Sequence, residues 1–314
     1  MKNPPKRRTL KAQPDCQRKL WAAAMQEDRF TVSAYGVRVP KIIYGTAWKK
    51  ERTADCVELA LALGFRGIDT ACQPKHYDEP GVGEGLARCL ADGLARADVY
   101  LQSKFTPANG QDPKRMPYDP KAGLPEQVAQ SFATSLRNLQ TDYLDCLVLH
   151  SPLADEADLL AVWRAMEDIV ANGGAKQLGI SNCYALPQLE RLYAQAAVKP
   201  AVLQNRFYAD TGYDLAIRAF CHERQILYQS FWTLTANPQV LRSDIVSAMA
   251  EKHGQMPEQI FFRYLTQIGV IPLTGTRSEL HMCEDLEIFG FALAADEILA
   301  LDGLLTRGGL ERPA

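Results

Sequence analysis

Short apolar runs alternate along the chain with longer segments whose apolar residues recur at helical spacing. The runs are Ile42 to Tyr44, Phe65 to Ile68, Val99 to Leu101, Leu144 to Leu149, Gln177 to Ile180, Ala201 to Leu203, Ile226 to Tyr228 and Val270-Ile271. Each has strand length and is rich in Val, Ile, Leu or Tyr. Between them, Thr53 to Leu63 carries Val57, Leu59, Ala60 and Leu63. A stretch opening at Pro125 carries Val128, Phe132, Leu136 and Leu139. Leu159 to Val170 carries Leu160, Trp163, Met166 and Val170. These spacings predict amphipathic helices, the second with proline in its tolerant first turn.

About eight strand-then-helix units result, and such alternation implies a parallel sheet. Eight units point to a closed (β/α)8 TIM barrel in the α/β class, with an open doubly wound sheet as the rival. The open sheet expects G-x-G-x-x-G after its first strand, and none stands there. Two segments fall outside the alternation. Phe30 to Gly45 reads as an N-terminal β-hairpin turning at Ala34-Tyr35-Gly36 and leading into the first barrel strand. Phe105 to Gly123 is polar and rich in Pro and Gly, the character of an active-site loop above a strand's C-terminal end. Residues 1–29 read as a flexible polar arm and 30–314 as a single barrel domain.

The chain has 314 residues, room for one barrel of about 250 residues with insertions. Its formal net charge of -2 favours neither nucleic acid nor an anionic membrane. No apolar run approaches the roughly 20 residues of a membrane helix. The basic start (Lys6, Arg7, Arg8, Lys11) lacks the apolar core of a secretory signal, and Asp15 interrupts a transit-peptide reading. The 8 cysteines are scattered without a C-x-x-C pair, which argues against a zinc site or a disulfide framework and fits reduced residues of a cytoplasmic protein.

In a barrel, strand C-termini converge on the site. Here the predicted strands end in Asp69-Thr70, Ser103-Lys104, His150-Ser151, Ser181-Asn182, Gln204-Asn205 and Ser230-Phe231-Trp232. An acid, a cation and an imidazole therefore share one face, and Tyr77 lies in the loop after Asp69. Taken singly, Asp69 with Lys104 reads equally as a structural ion pair, and His150 as a satisfied buried histidine. The charge run Lys49-Lys50-Glu51-Arg52 reads as a solvated loop and helix start, with a bearing on substrate charge, beside Trp48, as the alternative. Gly81-Val82-Gly83-Glu84-Gly85 invites a phosphate-loop reading, but glycines there also permit close helix packing.

Gly67 to Ala71 with Tyr77 and Glu79-Pro80-Gly81-Val82-Gly83 resembles the signature of the aldo-keto reductase family. Val99 to Lys104, Tyr143 to Pro152 and Gly179 to Asn182 resemble, in order, that family's lysine strand, histidine strand and G-x-S-N segment. The resemblance runs from about Phe30 to about Leu286. It implies an NAD(P)H-dependent oxidoreductase that reduces an aldehyde or ketone to an alcohol. Tyr77 would be the general acid, Lys104 would lower its pKa, Asp69 would fix Lys104, and His150 would orient the carbonyl. By the same resemblance Ser181, Asn182 and Gln204 hold the nicotinamide carboxamide, Ser230 and Phe231 flank the cofactor, and Trp48 lines the substrate pocket. Thr276, Arg277 and Asp285 would meet the adenosine end. The cofactor implied is NADPH, with NADH open because Leu273 stands where the family often has lysine. No metal is implied. The partner implied is a small carbonyl compound, and the assembly a monomer or weak oligomer.

The interval from Asp69 to Tyr77 is longer than the family's usual one, and counting back from Glu79 places His76 at the tyrosine's position. Either Phe231 or Trp232 could supply the stacking ring. An alternative of another class is a cofactor-binding, redox-sensing regulatory subunit with little turnover.

Overall fold

A computed structural model of the chain describes residues 26–308. Most of the expected arm, residues 1–25, lies outside them, as does Cys16. The arm's end, Glu27–Arg29, forms a helical turn, with the Arg29 guanidinium 5.4 Å from the Phe289 ring centroid. The predicted hairpin forms from β1 (Phe30–Val32) and β2 (Arg38–Pro40), antiparallel about a turn in which Gly36 takes φ 73°. Eight parallel strands follow: β3 (Ile43–Gly45), β4 (Gly67–Asp69), β5 (Tyr100–Phe105), β6 (Cys146–Leu149), β7 (Leu178–Ser181), β8 (Val202–Arg206), β9 (Leu227–Phe231) and β10 (Val270–Thr274). They close in sequence order, with β10 paired to both β9 and β3. The closed barrel, not the open sheet, is the fold.

Each expected strand forms, usually one or more residues further along than its apolar run. β5 and β9 continue through polar residues that alternate in direction, with Gln102, Lys104 and Gln229 pointing into the barrel and Ser103 and Ser230 outward. The helices include α1 (Thr53–Leu63), α2 (Glu79–Ala91), α3 (Leu124–Leu139) and α4 (Glu156–Ala171). α1 has the bounds its periodicity predicts and stops at Gly64, whose φ of 121° suits glycine. The buried stripe of α4 is Leu159, Val162, Trp163 and Met166, so Leu159 rather than Leu160 opens it. Further round the barrel lie α5 (Leu186–Gln195), α6 (Leu215–Glu223), α7 (Pro238–Leu241), α8 (Asp244–His253), α9 (Pro257–Gln267), α10 (Glu279–Glu287) and α11 (Ala295–Gly308).

The glycine run in α2 is a packing device. A Cβ on Gly83 would lie 2.1 Å from the Asn138 carbonyl oxygen of α3, and one on Gly85 would lie 2.5 Å from the Ala54 carbonyl oxygen of α1. Two apolar regions result. The larger fills the shell between strands and helices. The smaller lies inside the barrel, where Val37 and Val39 of the hairpin cap Ile43, Tyr100, Cys146, Val148, Val202 and Ile271. The hairpin thus closes the N-terminal end, and Ser33 Oγ donates to Gln177 Oε1 at 2.5 Å there. The opposite end stays open. Among the described residues no helix is long and apolar enough to cross a membrane.

Candidate active site

Strand periodicity builds the floor of the open end. On β5, Tyr100, Gln102 and Lys104 face inward in successive layers. Tyr100 sits in the apolar plug, and its hydroxyl donates to Gln102 Oε1 at 2.9 Å. Above it, Asp69 Oδ1 accepts from Lys104 Nζ at 2.5 Å, Gln102 Nε2 at 2.6 Å and Gln204 Nε2 at 3.0 Å. Gln229 Oε1 accepts from both glutamines. Lys104 Nζ also donates to the Thr70 carbonyl at 2.8 Å. All of these groups are buried. Desolvation lowers the Lys104 pKa, and the Asp69 charge opposes that fall. A buried ion pair supported by further hydrogen bonds tolerates the low dielectric that would expel a lone charge.

Tyr77 stands over this pair. Its ring centroid is 5.3 Å from Lys104 Nζ and 5.9 Å from the His150 ring, edge to face. His76 packs on Trp48, with ring centroids 4.1 Å apart. The longer Asp69–Tyr77 interval is tied down by the loop after β5. Gln111 Nε2 donates to the Cys72 carbonyl, and Gln73 Nε2 donates to the Gly110 carbonyl. Beyond Tyr77 the chain is pinned by Glu79, a buried carboxylate that accepts from Ser103, Ser135 and Asn138. Burial, then Asp69, pushes the Tyr77 pKa up rather than down. The Lys104 ammonium, paired with Asp69, does not outweigh these two effects. Thr106 Oγ1 lies 2.7 Å from His150 Nδ1. Burial holds the His150 pKa well below 6.5, with the charges of Lys104 and His76 acting in the same direction, so the ring is neutral.

A cleft of about 980 Å³ opens from these residues across the barrel mouth to α9 and α10. Trp48, Asp69, Tyr77, His150, Ser181, Asn182, Gln204, Phe231, Thr276, Arg277 and Asp285 line it, as do the two alternatives His76 and Trp232. Lys104 lies beneath. Asn182, at φ 55°, sends Nδ2 to the His150 carbonyl, and Ser181 Oγ donates to the Gln204 carbonyl. Ser230 is not brought to the cleft. It shares the outward face of β9 with Tyr228, and its hydroxyl accepts from Thr233 at 2.9 Å. At the far end Asp285 accepts from Thr274 Oγ1, and burial pushes its pKa up to about 7.

Two cations in the cleft escape sequence reasoning. Lys49, expected in a solvated run, is buried, and only Lys50 to Arg52 are exposed. A tight turn with positive φ at Trp48 and Lys50 folds the Lys49 ammonium onto the Gly275 carbonyl. Burial pushes its pKa down to about 8, with the nearby Arg277 charge adding to the fall. Arg206 follows Gln204 by two residues on β8, so the period-two count that puts Gln204 inside the barrel also signals Arg206. Six of the seven described cysteines are buried and all seven are free.

Comparison with known proteins bears on the family and the fold. A model of the Aldo/keto reductase family matches residues 41–223, more than half of the chain. Aldo-keto reductase family 1 member A1 of Mus musculus is 28% identical over 300 residues, covering 86% of this chain and 87% of that protein. Glyoxal reductase of Bacillus subtilis is 28% identical over 270 residues, covering 86% and 88%. The crystal structure of an aldo/keto reductase from Brucella melitensis superposes with a TM-score of 0.74 at 27% identity, covering 88% of this chain and 98% of that one.

Proposed function

We propose a carbonyl-reduction mechanism for this chain, which belongs to the aldo/keto reductase family and is an oxidoreductase of that family. In this reading it reduces an aldehyde or ketone to an alcohol at the expense of NADPH or NADH. The observation that carries the reading is the position of Tyr77, stacked above the Lys104–Asp69 pair and edge-on to His150 at the floor of the cleft. His76, packed on Trp48 at the mouth, does not share that position.

The residues fit a nicotinamide dinucleotide. Asn182 and Gln204 bring amide groups to the barrel centre, Phe231 brings an uncharged ring, and Lys49 and Arg277 bring positive charge near Gly275 at the far end. Phe231 is the ring for the nicotinamide, because it continues the inward face of β9 from Gln229, whereas Trp232 lies against Arg206. The two cations favour NADPH over NADH. When bound, the nicotinamide supplies the hydride for the carbonyl carbon.

The protein's own groups do the rest. Tyr77 keeps its proton because burial and Asp69 disfavour the phenolate, so it is in the acid form when the carbonyl oxygen gains negative charge. Lys104 then stabilises the phenolate that donation leaves behind. The neutral His150 ring points the substrate oxygen at Tyr77, and Trp48 with His76 forms the aromatic wall beside it.

Titration with NADPH and NADH, read by quenching of tryptophan fluorescence, tests the reading when simple aldehydes are then added. Binding followed by cofactor oxidation is expected. Tight binding with no turnover of any carbonyl would contradict it and favour a regulatory role. Failure to bind either nucleotide would remove the cofactor from the account.

A further inference from the structure

We infer that Arg206 is an anion anchor, built to take a carboxylate or phosphate oxygen pair into the cleft. Arg206 ends β8 in register with Phe231 of β9 and lines the cleft. It stands two residues beyond Gln204, whose amide touches Asp69, so its Cα lies about 6–7 Å further up the same barrel wall. Its Cζ lies 4.2 Å from the Trp232 ring centroid and 5.1 Å from that of Tyr208. Its backbone is fixed, with the amide N donating to Tyr184 Oη at 3.0 Å.

The side chain packs on aromatic rings and makes no side-chain hydrogen bond among the described residues. Nε is buried without a hydrogen-bond partner, and no carboxylate among the described residues forms an ion pair with the guanidinium. An arginine packed on an aromatic face keeps its edge donors free, and that edge matches the spacing of two oxygens of one carboxylate or phosphate. Another half-buried arginine behaves differently. Arg88 is ringed by Asp55, Glu58 and Glu84. Arg206 is held at the chemistry end of the cleft with its charge unanswered, which calls for an anionic ligand.

This inference rests on the reductase reading of the cleft. Two sources could bring the anion: the pyrophosphate of the dinucleotide, or an acidic substituent on the carbonyl substrate such as the carboxylate of a 2-oxo acid.

The test starts with binding alone. Inorganic pyrophosphate and oxamate are titrated into the wild type, Arg206→Gln and Arg206→Lys, following tryptophan fluorescence, with Trp232→Phe identifying the responding indole. The account predicts saturable quenching of Trp232 that weakens about tenfold in Arg206→Gln and is partly kept in Arg206→Lys, a point charge without the planar fork. Circular dichroism melts establish that the variants are folded, and Arg206→Lys carries the comparison if Arg206→Gln is not.

Two arms separate the sources. If the anion belongs to the substrate, Arg206→Gln raises the KM for glyoxylate about tenfold and leaves glyoxal and the NADPH Kd unchanged. If it belongs to the dinucleotide, the NADPH Kd rises and both aldehydes suffer alike. Anion binding by a wild type that oxidises no cofactor would leave the anchor standing and sink the reductase reading. Unchanged anion quenching, NADPH Kd and glyoxylate KM in a folded Arg206→Gln would overturn the anchor, as would a wild type that binds neither probe anion nor NADPH.

Discussion

Below Gln102 the barrel is filled by Val37, Val39, Ile43, Tyr100, Cys146, Val148, Val202 and Ile271. Above it the same strands offer Asp69, Lys104, Gln204, Gln229 and His150. The two ends are held together by different means. The lower end uses close-packed apolar volume under a hairpin. The upper end uses a closed hydrogen-bond network in which one carboxylate oxygen holds three donors. The lower end therefore depends on shape, where an error costs a cavity. The upper end depends on pairing, where an error leaves a charge alone.

Lys104→Met should show the largest effect, because it leaves Asp69 buried without its counter-charge. The expected loss is about 3–5 kcal/mol in denaturant unfolding. Adding Asp69→Asn to it should restore much of that stability without restoring activity. If the double variant is as unstable as the single one, the pairing account of the upper end is wrong.

Ile271→Ala in the plug should cost about 2–5 kcal/mol through lost burial and a cavity. It should leave kcat nearly unchanged. A fall in kcat as large as that of an upper-end variant would erase the contrast between the ends.

The smallest effect belongs to Asp285, at the cleft's outer end. Its pKa is raised to about 7 in the fold by burial, against 3.8 for the free side chain. The folded state therefore binds a proton more tightly than the unfolded one. The wild type should lose stability relative to Asp285→Asn as pH rises from about 4 to about 7, and the gap should be flat above that range. Melts in a pH series read this directly. The gap should be wider at pH 8 than at pH 4, and one that shrinks as pH rises would have the wrong sign.

The lower end was the more legible in the amino-acid sequence. Apolar runs mark its strands, and α1 begins and ends where its periodicity says. The upper end was legible only in part. Asp69, Lys104 and His150 follow directly from strand ends, because a strand's last residues face the mouth. Ser230 shows the limit of that rule, since one residue along a strand reverses the face. Lys49 shows another. Its burial comes from a turn at Trp48 and Lys50 that composition does not announce. The choice between His76 and Tyr77 could not be counted from neighbouring motifs, because the long interval is set in space by Gln73, Gln111 and Glu79. Arg206 carries a period-two signal but no motif.

The central claim is that Tyr77 delivers the proton. The direct measurement is single-turnover oxidation of bound NADPH by an aldehyde in the wild type, Tyr77→Phe and His76→Phe. The account predicts a loss of about 10²–10⁴-fold in rate for Tyr77→Phe with cofactor binding retained, and a much smaller change for His76→Phe. A Tyr77→Phe protein that reduces its substrate at the wild-type rate, or a His76→Phe protein that alone loses it, would contradict the claim.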